Sequence, residues 1–315
     1  MILFIITSCS PKAEKLVGVN YVDIVQVGDK ISLSYYRTNP LKRESRGKPV
    51  RTEVNCRKGR SPTALWVWNF RDIYKNKDRF RNTVHRYGVK RIYLQHSGEL
   101  TPSVIREIEK LGLEVFLLDG GKDIVLNFPL DRLDYLGVRG LQVDIEPYLN
   151  WDFNLKREDY VSKYVDFIRR LKSGLGKKYR LSVVIPFWYD SIHYKGKSLT
   201  EHVFMYADEV VVMAYRSSLE RVLSTASEEI YLSHKYRKPL WIGVELTPQE
   251  NEHHHIYRVS RKKLDFVGSY RVKGDTLVFP HDRAILLKSI KCEGVKGFVL
   301  HSYRSIKTEE LTSVK

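Results

Sequence analysis

The chain has 315 residues, of which 43% are hydrophobic, so it is long enough to bury one large core as a single α/β domain. Lysine and arginine total 54 against 37 acidic residues, and the formal charge of +17 favours anionic partners such as phospholipid or acidic glycans. The basic residues are spread along the chain without one isolated arm, which disfavours nucleic acid as the partner. Beyond the N-terminus no segment approaches the roughly 18 consecutive apolar residues of a membrane span, which argues against an integral membrane protein.

The first nine residues are mostly apolar and end in Ile6-Thr7-Ser8-Cys9. This ending resembles the lipobox of bacterial lipoproteins, in which the cysteine is lipid-modified and becomes the first residue of the mature protein. The resemblance implies lipidation at Cys9, a tether over residues 10–15 and a membrane anchor in the cell envelope. The alternative is that the apolar stretch is a strand associated with the barrel, in a cytoplasmic protein.

The three cysteines, Cys9, Cys56 and Cys292, are an odd number without a CxxC motif or a Cys/His spacing. They therefore predict neither a disulfide framework nor a zinc site. His253-His254-His255 lie in a predicted loop, and three consecutive histidines cannot all face one ion on a regular element. We predict no metal and no cofactor.

The N-terminal part of the chain is predicted to be an appendage. Residues 16–37 alternate in hydrophobicity around Gly28-Asp29-Lys30, which indicates a β-hairpin. Residues 39–60 carry many charges and two prolines with little apolar periodicity, which indicates a linker. The domain prediction is a hairpin and linker over residues 16–60 and a barrel over residues 61–315.

After Pro62 short apolar strands alternate with amphipathic helices, which is typical of parallel βαβ units. Eight such alternations in about 240 residues favour a closed (β/α)8 TIM barrel over an open doubly wound sheet. No GxGxxG or GxxxxGK[ST] motif follows the first strand, which argues against a nucleotide-binding fold. In chain order, the predicted strands are residues 64–70, 91–97, 113–119, 141–146, 181–188, 209–215, 240–246 and 297–303.

Helix signals separate these strands. Residues 101–112 begin with a capping Thr and a Pro and end with Gly, and residues 157–171 place Tyr, Phe, Ile and Leu at helical spacing. Residues 247–280 are a longer connection after strand seven, with a hairpin signal around Lys273-Gly274-Asp275. We therefore predict a small insertion there, followed by a helix over residues 282–291.

Barrel enzymes keep their active sites at the carboxyl ends of the strands, and these ends are polar here. Packing alone does not select charged residues in apolar strands, because an unpaired buried charge is costly. The candidate residues are Trp68, Asn69, Gln95, His96, Asp119, Asp144, Glu146, Trp188, Tyr215, Arg216, Glu245, His301 and Tyr303.

A carboxylate pair ends strand four. Alternation along a strand puts Gln142, Asp144 and Glu146 on one face. If that face is the barrel interior, like charges at short range raise the pKa of one carboxyl, which then stays protonated near neutral pH. A protonated carboxyl is the general acid of glycoside cleavage. The alternative is that the pair forms a buried structural network with Arg216 or His96.

Residues 140–146 read GLQVDIE and residues 212–215 read VMAY, and an insertion follows strand seven. Together they resemble the chitinase-type family eighteen glycoside hydrolases, whose strand-four motif is DGxDxDxE. The resemblance implies that Glu146 donates the proton and that Asp144 orients the substrate acetamido group, which acts as the nucleophile. It also implies that Tyr215 contacts the acetamido oxygen.

The sequence departs from that pattern at several positions. Arg139 and Gln142 stand where the motif has its first two Asp, and Arg216 replaces the Asp after the strand-six Tyr. Strand eight carries His301 and Tyr303 where the family has a Trp on the floor of its site.

Two further readings remain open. Glu245 on strand seven, with Glu146 on strand four, resembles the clan of retaining barrel hydrolases, in which the two carboxyls act as nucleophile and acid/base. A non-catalytic glycan-binding barrel is the other reading. Aromatic rings at the strand ends, including Trp68, Trp188 and Tyr148, are predicted to stack on sugars. The leading prediction is a glycosidase-like barrel acting on an N-acetylated envelope glycan such as peptidoglycan.

Overall fold

The computed structural model describes residues 55–216, 219–246 and 284–306 with their side chains, except that of Glu220. It also describes the backbone of strands Tyr21–Val27, Lys30–Tyr36, Thr52–Lys58, His253–Ser260 and Lys263–Arg271 and of the helix His281–Leu286. Cys9 and the predicted tether lie outside these residues.

Eight parallel strands form a closed barrel, because the last strand pairs with the first. This confirms the predicted (β/α)8 fold. Numbered in chain order as barrel strands one to eight, they are Thr63–Val67, Val89–Gln95, Glu114–Gly121, Gly140–Ile145, Arg180–Pro186, Glu209–Met213, Leu240–Glu245 and Gly297–His301.

Helices connect the barrel strands, and the sequence marks several of their ends. Asn76 accepts a hydrogen bond from the amide of Arg79 at 2.8 Å, and Gly88 ends the same helix in the left-handed conformation. The helices are Arg71–Lys75, Lys77–Tyr87, Pro102–Glu109, Asp131–Leu136, Arg157–Leu175, Leu199–Tyr206, Leu219–Thr225, Ser227–Tyr236 and His281–Leu286. Within the described part of the chain, none is both long and apolar enough to cross a bilayer.

The barrel interior has its own core, which is separate from the core between strands and helices. Trp66 belongs to this interior cluster, and its indole N–H donates to Gln142 at 2.6 Å. The Gln142 amide in turn donates to Ser182 at 3.0 Å. Because side chains alternate along a strand, Asp144 faces the same interior as Gln142.

A buried ion pair closes the opposite end of the barrel, where the strands begin. The Arg91 guanidinium donates to Glu209 and contacts Glu114 at 2.7 Å. It also lies over the rings of Phe116 and Trp241, at 4.3 and 4.7 Å from their centroids. Charge and aromatic rings therefore fill this end, and the open end is the one that carries Asp144.

The N-terminal hairpin, Tyr21–Val27 with Lys30–Tyr36, is extended by Thr52–Lys58 and then by Ile290–Cys292 into a four-stranded antiparallel sheet. The prediction of a linker is wrong for residues 52–58. The many charges of this segment obscure its strand pattern in the sequence. The strand pairs with residues 290–292, more than 200 positions away.

A disulfide joins Cys56 to Cys292 across the last two strands of this sheet. The prediction that the cysteines form no disulfide is therefore wrong. The two residues are 236 positions apart, so no local spacing in the sequence indicates the pair. Strand register alone brings them side by side.

The insertion after strand seven is a hairpin, but its strands are His253–Ser260 and Lys263–Arg271. The predicted turn at residues 273–275 lies outside the described residues. The placement of the three histidines in a loop is wrong, since they begin the first strand. The following helix ends at Leu286, earlier than predicted, because residues 290–292 join the N-terminal sheet.

Candidate active site

The carboxylate pair lies at the open end of the barrel. Asp144 is buried near the end of strand four, and Glu146 is half-buried just beyond it, where Pro147 starts a 3-10 turn. The Glu146 amide donates to the carbonyl of Gly121 at 2.7 Å, which ties the turn to strand three. Gly120 pairs with Asp144, and the lack of a side chain there lets the Trp68 ring approach this strand closely, since a Cβ would lie 3.3 Å from its Cζ3 atom.

Burial raises the pKa of Asp144 well above its ordinary value, and the negative charge of Glu146 raises it further. The Oδ1 atom of Asp144 is buried without a hydrogen-bond partner among the described residues. A carboxyl in such a place is favoured in its neutral form.

Three tyrosines surround the pair. The Tyr148 hydroxyl donates to Glu146, and its ring packs edge-on against Trp188 at 4.9 Å between centroids. Burial and then the Glu146 charge raise the pKa of Tyr148, so it remains a donor. Burial and then the charge of Asp144 raise the pKa of Tyr164, whose helical spacing in the sequence indicates only a core position. The hydroxyls of Tyr164 and Tyr189 are buried with no partner in the described part.

Glu245 and His301 form a second group, on strands seven and eight. The His301 Nδ1 lies 2.6 Å from the Glu245 carboxylate, which is only 1% exposed. The indole N–H of Trp68 donates to the Nε2 of His301 at 3.1 Å. Tyr215 stacks on the other side of the imidazole, with 5.9 Å between ring centroids. The structure thus links predicted residues from strands one, six, seven and eight.

A cleft of about 220 Å³ opens beside Trp68 at the ends of strands one and two. The guanidinium of Arg71 pairs with Glu99 at its rim, with the Nε atom at 3.1 Å. The Oε1 atom of Gln95 is buried here without a partner among the described residues. The lining residues are Trp68, Asn69, Phe70, Arg71, Gln95, His96, Ser97 and Glu99.

Several predicted residues have structural contacts. His96 stacks on Phe128 at 4.3 Å, and burial followed by the charge of Arg132 lowers its pKa, so the ring stays neutral near pH 7. Asp119 accepts hydrogen bonds from the backbone and side chain of Asn127 at 2.8 and 3.0 Å, so it organises the loop after strand three.

Arg216 and Tyr303, two further predicted residues, lie in different surroundings. Arg216 lies over the ring of Phe187 at 4.9 Å and donates to the Tyr215 carbonyl at 2.7 Å, beside the mouth. Tyr303 is 1% exposed and packs against Phe80, with 5.4 Å between centroids. We therefore remove Tyr303 from the candidate sugar contacts and assign it to the core. Over the described residues, no three His, Cys, Asp or Glu side chains are grouped as metal ligands.

Comparison of the sequence with protein-family models finds no match. Comparison with curated proteins finds none either. Among solved structures, the spore cortex-lytic enzyme SleL of Bacillus cereus is 10% identical with a TM-score of 0.48, over 81% of this chain and 73% of that one. A GH18 chitinase from Cycas revoluta in complex with (GlcNAc)3 is 13% identical with a TM-score of 0.41, over 80% and 97%. A class V chitinase from Pseudomonas fluorescens Pf-5 is 12% identical with a TM-score of 0.45, over 80% and 97%.

Two of these three structures are chitinases, the class that residues 140–146 and 212–215 resemble. The barrel is established by its own strand pairing.

Proposed function

We propose that the chain cleaves glycosidic bonds of an N-acetylated glycan, with Glu146 as the general acid. The main support is the Asp144 carboxyl, whose Oδ1 atom is buried without a partner among the described residues and whose pKa is raised by burial and by the charge of the half-buried Glu146. Protonation of a leaving oxygen requires a carboxyl group that carries a proton at the mouth of the barrel.

In this mechanism the proton passes from Asp144 through Glu146 to the leaving oxygen while the acetamido oxygen bonds to the anomeric carbon. Water then opens this cyclic intermediate by adding its hydroxyl to the anomeric carbon and returns a proton to the carboxyl pair. Asp144 is left ionised, and its charge stabilises the positive charge that develops on the sugar. The Tyr148 hydroxyl, which donates to Glu146, fixes the direction of that carboxylate. By the family resemblance, the acetamido group of the substrate acts as the nucleophile, which explains the choice of an N-acetylated glycan.

The retaining alternative needs Glu245 as the nucleophile. A nucleophile must reach the anomeric carbon, and Glu245 is 1% exposed and held by His301. The contacts therefore favour Asp144 and Glu146 over Glu146 and Glu245.

The test compares wild type with Glu146→Gln on peptidoglycan and on chitooligosaccharides. Loss of a general acid is expected to lower kcat by about 10²- to 10⁴-fold, with unchanged thermal unfolding. Glu158→Gln, on the exposed first turn of the helix Arg157–Leu175, is the matched control and is expected to retain wild-type activity. A wild type that binds these glycans without cleaving them would instead identify a glycan-binding barrel.

We also propose an envelope location with a lipid anchor at Cys9. The Cys56–Cys292 disulfide supports a location outside the cytosol, because disulfides persist mainly in oxidising compartments. Wild-type protein is expected in the membrane fraction, and Cys9→Ser is expected in the soluble fraction. Equal fractionation of the two proteins would contradict the anchor.

A further inference from the structure

We infer that His301 and Glu245 are positioning residues that hold the Trp68 ring as the sugar-stacking wall of the cleft beside Asp144. The inference rests on the proposed glycan function and adds the place where one sugar unit binds. It also gives the buried Glu245 a role other than nucleophile.

The hydrogen bonds define the state of the imidazole. An indole N–H can only donate, so the Nε2 of His301 must accept the bond from Trp68. The imidazole proton then lies on Nδ1 and is donated to Glu245 at 2.6 Å. Glu245 therefore selects the one neutral tautomer that leaves Nε2 free to accept the bond from Trp68.

Trp68 stands between the carboxylate pair and the cleft. A Cβ atom built on Gly120 would lie 3.3 Å from the Cζ3 of Trp68 and 3.6 Å from the Cβ of Asp144, so the indole edge passes close to strand four. The same side chain lines the cleft and is 37% exposed. The ring is thus fixed at its N–H end while part of its surface remains open to a ligand.

The cleft suits one sugar unit. Its volume of about 220 Å³ is below the roughly 300 to 1,000 Å³ of pockets that enclose drug-sized ligands. The aromatic wall offers an apolar surface to a sugar ring, and the buried Gln95 Oε1, without a partner among the described residues, offers an acceptor for a hydroxyl or amide. An N-acetylhexosamine unit on the far side of Trp68 from the carboxylate pair matches this combination.

The groups that face His301 come from three strands. Glu245 lies on strand seven, Trp66 lies on strand one with Trp68 just after it, and Tyr215 follows strand six.

Glycan binding is measured in the Glu146→Gln background, so that cleavage does not interfere, with chitotetraose and soluble peptidoglycan fragments as probes. His301→Leu is expected to weaken binding about tenfold, and Trp68→Ala with His301→Leu is expected to bind no more weakly than Trp68→Ala alone. His85 is an exposed histidine on the helix Lys77–Tyr87, and His85→Leu is the matched control.

A second measurement needs no glycan. The indole N–H signal of Trp68, identified by its absence in Trp68→Phe, is followed by nitrogen-15 NMR. His301→Leu is expected to shift this signal, and His85→Leu is expected to leave it in place. An unshifted signal, or unchanged glycan affinity in His301→Leu, would overturn the inference even if the wild type cleaves glycans.

The Glu245→Gln variant distinguishes a positioning role of Glu245 from a role as the nucleophile. The Gln carbonyl still accepts the proton of His301 Nδ1, so at most about a tenfold loss of cleavage is expected. A loss of about 10³-fold with intact glycan binding would identify Glu245 as the nucleophile and overturn the inference. Binding with no cleavage by the wild type would refute the proposed hydrolase alone, and a chain that binds neither probe would overturn both proposals.

Discussion

Asp144 is an acidic residue in a buried position, which disfavours its ionised form. Burial and the nearby Glu146 charge keep its pKa raised, so the folded chain retains a proton that the unfolded chain releases above about pH 4. Its contribution to stability therefore falls as pH rises from that value through the raised pKa of the folded state. A group that destabilises the fold at neutral pH while serving chemistry is typical of active sites.

Asp144→Asn is expected to be more stable than the wild type at pH 8, and this gain is expected to disappear at pH 4. The neutral amide has the same shape and releases no proton. Urea unfolding of both proteins at the two pH values measures the difference.

The exposed Asp134 is a control of opposite sign. Hydrogen bonds from Lys178 and Tyr179 lower its pKa, so it stabilises the fold above its ordinary pKa and loses this effect as pH falls. Asp134→Asn should therefore lose stability at pH 8. A common sign for the two variants would contradict the assignment of the proton to Asp144.

The strand beginnings show how the barrel elements are held together at the end away from the site. Arg91 on strand two joins Glu209 on strand six and Glu114 on strand three, and the side chains of Arg91 and Glu209 are both nearly inaccessible to solvent. Removing one partner leaves a buried charge uncompensated, which costs much more than breaking an exposed pair.

Glu209→Ala is expected to lower the free energy of unfolding by about 3–5 kcal/mol. Asp166→Ala, which breaks the exposed pair with Arg169, is expected to cost at most about 1 kcal/mol. Urea unfolding at pH 7 measures both. Replacing the buried pair as Arg91→Met with Glu209→Leu should recover most of the loss, and equal losses in the single and double variants would contradict this explanation.

The sequence could predict what depends on local periodicity. Alternation and helical spacing indicated all eight strands, and the polar strand ends included the Asp144 pair, Glu245 and His301. Contacts made by barrel closure could not be predicted. The bond from Trp68 to His301 joins strands one and eight, which lie side by side only in the closed barrel. The ion pair of Arg91 with Glu209 could not be predicted for the same reason, because barrel closure brings the two residues together.

At the scale of the whole molecule, the N-terminal sheet is completed by a strand that immediately precedes barrel strand eight. Strands Thr52–Lys58 and Ile290–Cys292 therefore flank nearly the whole barrel in sequence and lie together in space. The N-terminal strands therefore share a sheet with a strand from the predicted barrel region, residues 61–315.

The Cys56–Cys292 bond makes a covalent ring of the chain between its two cysteines, and the ring contains barrel strands one to seven. A protease that cuts this ring once opens it without releasing a fragment. The two pieces stay joined, so such a product migrates as a single species until a reductant is added. Nicked protein can thus keep its barrel assembled and pass unnoticed in any assay performed under oxidising conditions.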